Sequence, residues 1–238
     1  MITKTEQNLQ QFYARLAGFS YILFTVAGFV KNFLLDTRLS DISTAQVNSL
    51  FENEMHFRLG ILAEAIMFLG VVMASMSFYL VLKSVNKPLA QTALCLRLVE
   101  IIIGSIGAVI SMAMLALSNK TYLIEMFDLQ QLHNIIVIAA SFSLPAYEYS
   151  WIFMGFAGII TFYLFYKMHF IPRAWSVWGM ITYSSLIVYP VAKLLIADLP
   201  REAMFVLFPG ALFELGVGVW LLTMGIKIPN DGANMPDK

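Results

Sequence analysis

Six stretches of this chain run for about 17 to 25 residues with few charges, the length a helix needs to cross a hydrocarbon core about 30 Å thick. They lie near 12–35, 58–82, 92–117, 150–166, 175–197 and 203–226. Lipid offers the backbone no hydrogen bonds, so segments of this kind fold as α-helices that satisfy their own N–H and C=O groups. The expected fold class is therefore all-α: a polytopic integral membrane helix bundle of six spans, built as a single transmembrane domain over 1–238. A seventh apolar stretch, about 128–144, is short and ends before Pro145. It reads as a re-entrant or interfacial outer helix, with a seven-span arrangement as the alternative. The first run is longer than the apolar core of a signal peptide and has no small-residue cleavage site after it, so it reads as a retained span.

Composition narrows the function classes. Apolar residues make up 59% of the 238 residues and charged residues 13%. Soluble domains carry about 25% charge, so this is not the composition of a soluble enzyme. Lys plus Arg and Asp plus Glu both number 15, which leaves no basic excess for nucleic acid. The single cysteine, Cys95, cannot form an intramolecular disulfide and reads as a small buried apolar residue. The chain contains no phosphate-binding loop, no HExxH, no GxSxG and no dinucleotide fingerprint, so no cofactor and no metal is expected.

Loop charges set the orientation. With six spans, one side receives Lys4, Lys83, Lys87, Lys167, Arg173, Lys227 and Lys238, and the other only Arg38, Lys120 and Arg201. Cytoplasmic loops are the ones enriched in Lys and Arg, so both termini are expected in the cytoplasm of a cell with an inner (plasma) membrane location. Glu148 and most other acids fall in the outer loops on this scheme.

A charge at the bilayer centre costs about 2.5 to 3.5 kcal/mol on insertion scales, so each one inside a span needs a partner or a wet cavity. Glu64, Arg97, Glu100, Lys193 and Glu214 lie within spans. Arg97, Glu100, Gly104, Gly107 and Ser111 share one helical stripe, as do Ala14, Gly18, Tyr21, Thr25, Gly28 and Asn32. Gly210, Glu214 and Gly218 form a third stripe, and Ser176, Gly179, Tyr183, Pro190 and Lys193 a fourth. Small residues mark close helix contacts in lipid, so these faces point inward. The expected interior holds Arg97 with Glu100, Glu214 opposite, and Lys193 with Glu64 toward the outer end. Three carboxylates against two bases leave one acid protonated or paired with Arg58. His133, at the start of the short outer segment, is placed to cap the pocket.

The segments FRLG (57–60), VNKPLA (85–90), RLVE (97–100), HFIPR (169–173) and FELGVGVWLLTMGIK (213–227) resemble an uncharacterised bacterial multi-spanning membrane family, domain of unknown function 4386. The resemblance covers roughly 15–227. It implies a polytopic bacterial inner-membrane protein and no particular activity.

The buried ionisable groups point first to binding, transport or sensing of a small polar or amphipathic ligand, with membrane lipid as the surrounding partner. One alternative is an intramembrane enzyme whose protonated carboxyl serves as general acid on an isoprenoid-like substrate. The other is a non-catalytic partner subunit whose charges only staple helices together.

Overall fold

The computed structural model describes residues 4–35, 54–118, 129–196 and 198–227, which form helices and no strand. We number them α1 (Lys4–Phe29, continued by a π-helical turn Val30–Leu34), α2 (Glu54–Leu82), α3 (Lys87–Ser118), α4 (Leu129–Ser141), α5 (Ser143–Met168), α6 (Arg173–Leu195) and α7 (Phe208–Thr223). A 3-10 turn, Arg201–Leu207, leads into α7. Five of these segments are long and apolar enough to cross a membrane: 4–34, 54–82, 87–116, 145–168 and 201–223. The 23-residue α6 is less apolar but, at about 1.5 Å per residue, also matches the bilayer core.

Local chemistry sets the breaks. Asn86 accepts a bond from the Leu89 N–H (3.0 Å), capping α3, and Pro88 occupies the first turn, where its missing N–H costs nothing. Helix α5 ends with His169 in the left-handed conformation, and Pro172 precedes α6. Inside the spans, hydroxyls return to their own helix: Ser20 to Leu16 O (2.7 Å), Ser75 to Val71 O (2.6 Å) and Thr161 to Ala157 O (2.8 Å). No polar partner from lipid is needed.

The long helices form a ring in the order α7, α1, α2, α3, α5, α6, with only a light contact closing α6 onto α7. The core at its centre includes Tyr21, Phe78, Phe162, Phe165, Tyr183 and Phe213. At one end the chain is clasped. The Lys227 N–H donates to Phe170 O (2.8 Å), Gln11 bonds both backbone groups of Ile226, and Gln10 donates to Ser84 (3.2 Å). Lys4, Lys83, Lys87, Lys167, Arg173 and Lys227 all gather at this end.

Several helices start earlier than the sequence-based bounds, at Lys4, Glu54 and Lys87 rather than 12, 58 and 92, and two differences bear on the site. The fourth span, expected at 150–166, begins at Ser143, and only Phe142 separates it from α4. Glu148, expected in an outer loop, is therefore a buried residue of α5. Cys95, expected buried, is exposed on the outer face of α3, because the inward stripe of that helix is set by Arg97, Glu100 and Gly104.

The closest backbone approach at a glycine lies between α1 and α7. A Cβ on Gly18 would sit 2.6 Å from Gly218 O and 2.9 Å from the Leu221 carbonyl carbon, which is backbone that cannot yield. Gly18→Leu is accordingly expected to cost about 1–3 kcal/mol by overpacking, read as a lowered unfolding temperature in detergent. Gly28→Ala, whose Cβ meets only Met67 Sδ at 3.4 Å, is expected to leave that temperature unchanged.

Candidate ligand-binding site

Helices α1 and α7 run antiparallel, and beyond the Gly18–Gly218 contact a cavity of about 520 Å3 occupies the space beside them. On α1 it is lined by residues from Phe24 to Phe33 and on α7 by Ala211, Glu214 and Leu215. Its remaining wall comes from Met67, Phe68 and Val71 of α2, Glu100 of α3, and Tyr147 and Met154 of α5. Val26, Phe29 and Phe33 are about half exposed or more (49%, 54% and 64%), so the mouth faces sideways, into the surrounding acyl chains.

The polar groups collect at the inner end. Arg97 Nη1 lies 3.1 Å from Glu100 Oε2, on the same face one turn apart, and both residues are buried. The contact is a charge contact without hydrogen-bond alignment, and neither atom has a hydrogen-bond partner. Arg97 Nε instead donates to Ser75 Oγ at 3.4 Å. Glu214 accepts from Tyr183 (3.4 Å to Oε1) and from Thr25 (3.4 Å to Oε2), and no Lys or Arg among the described residues forms an ion pair with it.

Tyr183 also shares a 2.8 Å hydroxyl bond with Tyr21. Its ring stacks on Phe162 and lies against Gly158, where a side chain would collide with it. This tyrosine pair separates the large cavity from a crevice of about 20 Å3 nearer the lysine-rich end, lined by Ser75, Tyr79, Arg97 and Thr161 among others. That is room for about one water molecule.

The eight candidate residues divide accordingly. Glu100 and Glu214 line the floor of the cavity, and Arg97 and Tyr183, in contact with them, line the small crevice behind it. Glu64 does not meet Lys193: it pairs with Lys31 (2.6 Å), because α2 packs against α1, whereas α6 lies elsewhere in the ring. Lys193 instead grips Glu148 of the adjacent α5 with two 2.7 Å bonds, and it sits near the end of α6, 43% exposed. Arg58 is exposed and pairs with Glu54 one turn back on α2, so it does not neutralise the spare acid of the interior. His133 belongs to α4, and its side chain lies outside the described residues. Lys31, which pairs with Glu64, and Tyr147, which lines the cavity, were not among the eight candidates. The sequence did carry a signal for Tyr21 and Thr25, which share the small-residue stripe of α1.

Residues 16–225 match the family described as Domain of unknown function (DUF4386). The chain belongs to this family. No curated protein and no solved structure matches it. In this DUF4386 chain the RLVE segment supplies Arg97 and Glu100 and the FELG segment supplies Glu214, so two segments more than a hundred residues apart in sequence build one polar floor.

The tyrosine pair can be tested by a double-mutant cycle. Tyr21→Phe and Tyr183→Phe are each expected to cost about 0.5–1.5 kcal/mol, and the double variant less than their sum, because one shared bond is lost only once. Additive losses in unfolding free energy would contradict the pairing.

Proposed function

We propose that the protein binds a small amphipathic molecule, taken laterally from the membrane, with the ligand's polar group at Glu100 and Glu214. The observation that carries this reading is the 520 Å3 cavity with apolar walls, a mouth toward lipid and two carboxylates at its floor. Ligand sites are typically concave, largely apolar and about 300–1,000 Å3, with a few polar groups that fix orientation. A subunit stapled by charges alone would pair each acid with a base, as Glu64 and Glu148 are paired. Glu214 departs from that pattern. Binding in this form serves transport or sensing equally.

Filling the cavity tests the reading. Gly28 lines it, and a Cβ there would meet only the Met67 Sδ, at an ordinary contact distance of 3.4 Å, so Gly28→Phe is expected to fold normally while occupying the volume. Native mass spectrometry after mild detergent extraction should then show a lipid-like adduct on the wild type and at least a several-fold loss of it on the variant. Equal retention by both proteins would refute the proposal.

The lysine-rich end is proposed to face the cytoplasm of a bacterial inner membrane. A fluorescent protein fused to the C-terminus is expected to fluoresce, and alkaline phosphatase fused there to be inactive. The reverse pattern would invert the assignment.

A further inference from the structure

The charge count at the floor of the cavity narrows the ligand further. One guanidinium, Arg97, stands against two carboxylates, Glu100 and Glu214, and its field reaches both. The next charges outward, Lys31 and Glu64, cancel each other at 2.6 Å. Among the described residues the floor is thus one positive charge short. Glu100 Oε2 has no hydrogen-bond partner although the residue is only 6% exposed, and Glu214 holds only two long bonds from neutral hydroxyls. The accepting capacity of both acids is therefore largely unspent, and both line the cavity.

The walls agree with this count. Phe24, Phe29, Phe33, Phe68 and Tyr147 surround the space, and aromatic faces attract cations through their quadrupole. Lys31 already lies 5.8 Å above the Tyr147 ring. Among the described residues no group of three or more His, Cys, Asp or Glu is placed to hold a metal ion, and the volume far exceeds that of a bare cation.

We infer that the cavity selects amphiphiles with a cationic head, such as a lipophilic amine, whose ammonium group supplies the missing positive charge between Glu100 and Glu214 while its apolar body fills the aromatic channel toward the mouth. This rests on the reading of the cavity as a ligand site. An anionic head would meet two carboxylates in a medium that screens charge poorly. A neutral head would leave the imbalance in place.

The test uses full-length protein in phosphatidylcholine nanodiscs, with dodecylamine, dodecanol and dodecyl sulfate as probes. Apparent affinity is read from the ligand-dependent rise in unfolding temperature, and Gly28→Phe protein gives the baseline for simple partitioning. Wild type is expected to prefer the amine over the alcohol by about tenfold and to bind the sulfate least. Glu214→Gln and Glu100→Gln are each expected to shrink that preference to a few-fold or less; their unliganded unfolding temperatures report whether they fold. Equal affinity for amine and alcohol above the baseline would overturn the cation selectivity and leave the amphiphile site standing. So would a preference that persists in both Gln variants. Equal responses of wild type and Gly28→Phe to all three probes would overturn the site itself.

Discussion

At the crossing of Gly18 with Gly218, backbone meets backbone, and much of the bundle follows from that approach. It joins the first and last long helices, so the ring closes through the two ends of the chain, and Gln11 and Ile226 reinforce the closure just beyond it. About two turns further along α1 and one turn back along α7, the helices still touch through Thr25 and Glu214 at 3.4 Å; past that pair the space beside them is the cavity. The glycine contact tightens one half of the α1–α7 pair, and the cavity lies beside the other half. In lipid, where helices gain nothing by hiding apolar surface from each other, such small-residue contacts and the polar bonds beside them carry the association.

The charges inside the ring show three solutions to one problem. Lys31 with Glu64 and Lys193 with Glu148 are pairs between neighbouring helices, and each removes an uncompensated charge. Arg97 with Glu100 is a pair along a single helix, close in distance but poorly aligned, so it neutralises without saturating. Glu214 is given hydroxyl donors and no base. An acid without a base in that position is expensive in lipid, and such a cost persists where a site uses it. The aromatic packing of Phe162, Tyr183 and Phe213 beside it holds the tyrosine hydroxyls at a fixed place, so the polar floor is rigid while the mouth is apolar.

Much of this was legible from residue order. Apolar runs of span length, together with the lack of water for the backbone, dictate helices. The stripes of small and charged residues named the inward faces, and Arg97, Glu100, Tyr183 and Glu214 were identified by depth and spacing alone. Pairing was not legible in the same way. Depth alone set Lys193 against Glu64, but ring order places α6 beside α5 and α1 beside α2, so the partners became Glu148 and Lys31. Arg58 satisfied itself with Glu54, a local contact that its spacing permitted and that the count of interior charges overlooked.

The sequence by itself determined that this chain is an all-helical membrane protein, which end gathers the bases, and which residues point inward, because helical periodicity and the cost of charge in lipid act on each segment separately. Only the tertiary structure decided which helices are neighbours, which acid lacks a base, and that a lateral cavity lies over Glu100 and Glu214. Those features arise from how closely pairs of helices approach, and at the α1–α7 contact that distance is set by glycines meeting between neighbouring helices, at positions that no periodicity within one segment connects.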